Sequence, residues 1–255
     1  MCTVVILRRP EHDWPLLIGA NRDESGSRPW LPPARHWPER EDVVAGLDEL
    51  AGGTWLGVND FGLVACVLNR PGTLGPAENK RSRGELPLEA LDHAEASVAA
   101  EALADLAPEA YRPFNLIVAD ARDAYWVGLR ENEDKIIVQT LDLGLSMITA
   151  HDLNDPANSA RQKHHFPHFA TAQTPNPDAG EWGAWQNLLE SPERAPSDAP
   201  ESAMFIETDW GFGTSSSSLL AVPSAAKRSD NPETSTLWRF RGGKPGEVEW
   251  VNVEI

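Results

Sequence analysis

Leu16-Leu17-Ile18-Gly19-Ala20-Asn21-Arg22-Asp23-Glu24-Ser25 begins as an apolar strand, Leu16–Ala20, and runs into four adjacent polar side chains. Such a group is costly to bury unless it is paired. Arg22 against Asp23 or Glu24 is one pairing, and an exposed charged turn is the alternative. Upstream lies Met1-Cys2-Thr3-Val4-Val5-Ile6-Leu7, a cysteine directly followed by a strand, Thr3–Leu7. If the initiator methionine is removed, Cys2 carries a thiol and an α-amine on one residue, with ordinary pKa values of about 8.5 and about 7.7–8.0. The amine is then a base matched to the thiol, able to take its proton and return one to a leaving group. An arginine close by would lower the thiol pKa. If the two strands form a hairpin, the end of the second need not fall beside Cys2 in register, and a neighbouring strand is another way to bring them together.

Further along, Gly52-Gly53-Thr54-Trp55-Leu56-Gly57 sets glycines on both sides of a tryptophan. That pattern suits a backbone passing close to something, or ordinary hairpin packing. Cys66-Val67-Leu68-Asn69-Arg70-Pro71-Gly72 ends a buried strand in an amide. Asn69 can donate to a developing oxyanion or cap the turn. Cys66, inside the apolar run, reads as an inert core thiol. Trp30, Trp37 and Trp55 lie near these blocks and are candidates to line a pocket.

Short β-rich runs recur along the chain, among them Asn115–Ala119, Tyr125–Gly128, Leu145–Thr149, Ser218–Val222, Thr236–Arg241 and Glu247–Val253. Helical signals are fewer. Glu85 to Leu106 is rich in Ala, Glu and Leu, with a break expected near Ala94. A second helix is expected to start at Asp155-Pro156 and end before Pro167, and a short third over Glu181–Leu189. Many antiparallel strands with few helices point to an α+β fold, a single domain over residues 1–255 layered helix–sheet–sheet–helix. The stretch 171–203, acidic and holding five prolines, is expected as a surface insertion.

The 255 residues carry 22 Lys+Arg and 39 Asp+Glu, a net charge of −17. Residues 1–90 hold 10 basic and 13 acidic side chains; residues 91–255 hold 12 and 26. A strongly acidic chain is the wrong sign for nucleic acid or an anionic membrane surface. No apolar run approaches the roughly 18–20 residues of a membrane span, so no integral membrane segment is expected. Two cysteines make no disulfide framework. The first residues place apolar before charged, the reverse of a secretory signal, which gives an expectation of a cytoplasmic protein. His164, His165 and His168 suggest a metal, but Pro167 between them is expected to spoil the i,i+4 face, so no metal is expected. No Gly-x-Ser-x-Gly elbow or phosphate-cradling glycine loop is present.

Cys2, Asn21-Arg22-Asp23-Glu24, Ser27-Arg28-Pro29, Gly46-Leu47-Asp48, Gly52 to Gly57, Arg83-Gly84-Glu85-Leu86 and Phe114-Asn115-Leu116 together resemble the NRDE family, also called the transport and Golgi organisation family. The likeness is dense over residues 2–120 and thin beyond. It implies a fold similar to the N-terminal nucleophile hydrolases, a four-layer α-β-β-α sandwich of antiparallel sheets. The cysteine branch of those hydrolases includes penicillin V acylases, bile salt hydrolases and acid ceramidases. By similarity Cys2 matches the nucleophile, Asp23 the acid that holds the α-amine and Asn69 the oxyanion donor, with Asn21 and Arg22 beside them. Two stretches depart from the family pattern. Where the family shows Ser-Asn, this chain reads Thr149-Ala150-His151-Asp152-Leu153-Asn154, which leaves His151, a shifted Asn154 or neither as the polar anchor. Where the family has Gly-Thr-Arg-Ser, this chain has Gly213-Thr214-Ser215-Ser216, which removes a basic group that would hold a carboxylate. The implied activity is hydrolysis of a non-peptide C–N amide bond in a small-molecule substrate, with no cofactor. The alternative is a non-catalytic haem or acyl-lipid binding or trafficking protein on the same scaffold, with His151 or the histidine cluster as haem ligands.

Overall fold

Period-two alternation builds two antiparallel sheets in the computed structural model, which describes residues 2–196 and 199–255. The first sheet has the order β10-β1-β2-β11-β12-β13, from β1 (Thr3–Arg8), β2 (Leu16–Ser25), β10 (Gly144–Ile148), β11 (Phe212–Val222), β12 (Leu237–Arg241) and β13 (Val251–Val253). The second runs β3-β4-β5-β6-β7-β8-β9, from β3 (Trp30–Ala34), β4 (Val43–Asp48), β5 (Leu56–Asn59), β6 (Val64–Asn69), β7 (Phe114–Ala119), β8 (Ala124–Leu129) and β9 (Ile137–Thr140).

Alternate residues point to opposite faces of each sheet. Val4, Ile6, Leu16, Ile18 and Ala20 of the first sheet meet Val44, Leu56, Val64, Cys66 and Ile117 of the second in the central core. The outer face of the second sheet packs Val43, Ala65, Leu116 and Val118 against α1 (Glu85–Leu91) and α2 (Ala96–Ala104). The outer face of the first packs Val5, Leu17, Met147 and Leu219 against Phe169 of α3 (Ala160–Thr171) and Trp185 and Leu189 of α4 (Gly183–Leu189). The result is the α-β-β-α sandwich implied by the resemblance. No helix among the described residues is long and apolar enough to cross a membrane.

The 85–106 helix breaks near Ala94 as expected, with α1 ending at Leu91 and α2 starting at Ala96. Other local expectations need correction. The next helix starts later than Asp155, at Ala160, where the Ser159 side chain accepts from the Gln162 N–H. It also runs through Pro167 to Thr171. A proline inside a helix costs one hydrogen bond and some strain, and here Arg161, Gln162, His165 and Phe169 are buried along the same helix, which offsets that cost. The i,i+4 face of His164 and His168 therefore survives. In the acidic 171–203 stretch, Trp182, Trp185 and Leu189 are buried while Glu181 and Glu193 are exposed; Ser197 and Asp198 lie outside the described residues.

Candidate active site

Antiparallel pairing of β1 with β2 sets Thr3 opposite Asn21 and Arg8 opposite Leu16. The hairpin itself therefore brings the end of β2 to Cys2, and no intermediary strand is needed. The Asp23 N–H donates to Cys2 Sγ at 3.4 Å, and the thiol lies 3.7 Å from the Asp23 carbonyl oxygen.

The tetrad divides between the two faces of β2. Arg22 follows Ile18 and Ala20 toward the space between the sheets. Its guanidinium carbon lies 4.4 Å from the centre of the Trp55 ring, and its Nη1 donates to Ser215 Oγ at 3.0 Å. Trp55 is held in turn by Gly46, where any Cβ would stand 2.3 Å from the indole. Asn21 and Asp23 face the outer helices. Asn21 Nδ2 donates to the carbonyl oxygens of Leu189 and Met204 at 2.9 and 2.8 Å. Asp23 Oδ1 accepts from Thr214 Oγ1 at 2.6 Å, and Oδ2 accepts from Arg161 Nη1 at 2.9 Å. The Asp23 and Arg161 side chains are 0% and 3% exposed. The same Arg161 nitrogen donates to Thr3 Oγ1 at 2.6 Å, so α3 fastens both strands of the hairpin. The pairing that justifies burying Asp23 thus comes from Arg161, and neither Arg22 nor a solvent-exposed turn supplies it.

Cys2, Arg22, Asp23 and Asn69 line one cleft of about 480 Å³. Asn21 is displaced to the far face of β2. Asn69 reaches the cleft from the end of β6. Burial, then the Asp23 charge, push the Cys2 thiol above its ordinary pKa; the Asp23 N–H and Arg22 pull the other way without prevailing. Arg22 does lower the thiol pKa as expected, but burial and the Asp23 charge outweigh it. Burial also pushes the Cys66 thiol up, as suits an inert core group. His151 and Asn154 are not among the described residues that line the cleft. Asn154 bonds the Met147 N–H and Ser146 Oγ, and the His151 carbonyl oxygen accepts from Asn115 Nδ2.

The glycines around Trp55 do mark a close approach. A Cβ on Gly53 would stand 2.5 Å from the backbone of Gly84, and the Thr54 N–H donates to the Gly84 carbonyl at 2.9 Å. This contact locks the wall carrying Trp55 to the wall carrying Arg83. Gly53→Ala is expected to cost about 1–3 kcal/mol through backbone displacement, read as a lower thermal midpoint. A midpoint equal to wild type would show that the two walls are not in fixed contact.

The cleft is also basic. Arg83 donates to Thr73 Oγ1 and the Thr73 carbonyl, both at 2.7 Å, and Arg112 donates to the carbonyls of Gly72 and Gly75 at 2.8 and 3.1 Å. Neither has a carboxylate partner among the described residues. Burial, then Arg112, lower the Arg83 pKa to about 10. Nothing local in the sequence singles out Arg112 or Arg161. Arg83 and Thr214 stand within the motif blocks, which is the available signal for them.

Two stacked antiparallel sheets under outer helices make this an N-terminal nucleophile hydrolase-like fold, and solved hydrolases superpose over most of the chain. The Caenorhabditis elegans N-acylethanolamine-hydrolyzing acid amidase ortholog matches with a TM-score of 0.57 at 14% identity, covering 92% of this chain and 98% of that one. A conjugated bile acid hydrolase variant from Clostridium perfringens matches with a TM-score of 0.54 at 13% identity, covering 98% and 92%. At these identities the likeness shows the fold alone. The chain belongs to the Transport and Golgi organisation 2 family, whose profile matches residues 1–229. It is 33% identical over 141 residues to the Homo sapiens Transport and Golgi organization protein 2 homolog, covering 51% of this chain and 50% of that protein. The Bos taurus homolog is 36% identical over 110 residues, covering 41% and 38%. The matched region spans about half the length of these relatives or less.

Proposed function

We propose that the protein is an amidohydrolase with Cys2 as its N-terminal nucleophile, acting on a non-peptide C–N amide in a small molecule that carries a negative charge. The observation behind this reading is the Cys2 sulfur at a cleft wall, bonded by the Asp23 N–H and close to Arg22.

In this mechanism, removal of Met1 frees the Cys2 α-amine, and Asp23 holds that amine in place. The amine takes the thiol proton as sulfur attacks the amide carbonyl. Asn69 and a backbone N–H stabilise the oxyanion. The C–N bond breaks, the α-ammonium returns its proton to the departing amine, and a thioester remains. Water, deprotonated by the same amine, hydrolyses the thioester to a carboxylic acid and restores the thiol. The mass of the purified chain should be smaller by one methionine residue. A chain that retains Met1 and still turns over amides would overturn the mechanism.

Arg83 and Arg112 support the anionic substrate class. Two cations held side by side, hydrogen-bonded to neutral groups, leave a positive field in an otherwise acidic molecule, and a cleft focuses such a field. Arg112→Gln should raise KM for an amide bearing a carboxylate or sulfonate about tenfold, with kcat within twofold and neutral amides unaffected. An equal loss for neutral and charged amides would remove the electrostatic reading.

A further inference from the structure

We propose that His164, His165 and His168 form a binding site for one divalent transition-metal ion of the zinc type, on the outer helical layer and separate from the cleft. The three imidazoles lie along α3, and one ring nitrogen of each falls within 4.8 Å of one from each of the others. Their ring centres are 4.7 to 6.0 Å apart.

Two of the rings are already oriented as metal ligands usually are. His165 is fully buried, and its Nε2 lies 3.1 Å from the Ser202 carbonyl oxygen. A carbonyl only accepts, so Nε2 bears the hydrogen and the neutral ring keeps its lone pair on Nδ1. That Nδ1 is buried and has no hydrogen-bond partner. An acceptor-ready nitrogen without a donor is an unmet cost, and a cation meets it. His164 repeats the arrangement, with Nε2 3.2 Å from Glu193 Oε1. A carbonyl or carboxylate on the far nitrogen fixes the tautomer and raises the basicity of the other nitrogen, the usual outer support of a metal-bound histidine. Imidazole nitrogen suits zinc, copper, nickel and cobalt, and is a poor match for magnesium or calcium.

The spacing is slightly open. Tetrahedral zinc with bonds of about 2.0–2.1 Å needs nitrogens roughly 3.3 Å apart. The half-buried His164 and His168 can close the difference by turning their rings, while Ser202 keeps His165 fixed. His165 lies one helical turn beyond Arg161, so a bound ion would steady the helix that holds Asp23. The site does not depend on the chemistry assigned to Cys2.

The test uses the full-length chain without a histidine tag, stripped with a chelator. Titration with Co²⁺ should give visible d–d absorption that saturates at one ion per chain and is displaced by Zn²⁺. Zn²⁺ should also raise the thermal midpoint. The double variant His164→Gln/His168→Gln should lose both effects. A second arm needs no variant: Zn²⁺ should protect the half-buried His164 and His168 of the wild-type chain from carbethoxylation, read by mass spectrometry. Absence of saturable binding, binding that persists in the double variant, or full modification with Zn²⁺ present would each overturn the proposal.

Discussion

Cys2→Ala is expected to abolish amide turnover, with a loss of about 10⁴-fold or more, while the thermal midpoint moves by no more than a few degrees. The size follows from the proposed chemistry: removing the nucleophile of a coupled catalytic group leaves only binding and oxyanion stabilisation, and comparable deletions cost about 10⁶-fold. The small structural effect follows from geometry, since the thiol is a partly exposed group contacting the backbone of Asp23. Cys2→Ser keeps the shape and should remain inactive or nearly so. The pH profile supplies an independent check. Burial and Asp23 raise the Cys2 pKa, so the resting thiol is protonated at neutral pH and attack requires a base. A protonated α-amine cannot accept, so kcat/KM should fall as pH drops below the amine's range, near an ordinary value of about 7.7–8.0. Turnover that survives in the alanine variant would end the nucleophile assignment.

Arg161→Met is the largest expected effect on stability. It removes the cation paired with a carboxylate that is 0% exposed and leaves that charge buried. Breaking a buried pair from one side costs about 3–5 kcal/mol, whereas replacing both partners by apolar groups is often close to neutral. At this chain length the single variant should unfold roughly 10 °C lower. Asp23→Leu combined with Arg161→Met should recover much of the difference without restoring activity. Equal midpoints for wild type and Arg161→Met, measured by calorimetry, would show that the pair does not hold α3 to the hairpin.

Strand alternation makes much of the fold legible in the sequence. The runs at Thr3–Leu7, Leu16–Ala20, Asn115–Ala119 and Ser218–Val222 all fall within strands. Trp30–Ala34 was not foreseen because Pro32 and Pro33 sit within it, tolerated since β3 is an edge strand. The meeting of Cys2 with the tetrad stays open in the sequence, because register depends on where the turn falls, and the loop from Arg9 to Pro15 carries no compact hairpin signature. Arg161 was hidden for a different reason. It lies 138 residues from Asp23, and nothing local distinguishes an arginine at the start of a helix from any solvated one. Pro167 misled in the opposite sense, since local propensity gave way to the burial of His165 and Phe169 on either side of it.

Because β2 alternates, Arg22 leans toward the nucleophile while Asn21 and Asp23 are bolted to the helices behind. A descendant chain could shed its sulfur and go on needing Asn21 and Asp23, since without them the helical layer would come away from its sheet. Retention of those two positions would then testify to architecture, and the residue behind the initiator methionine would be the sharper report on chemistry.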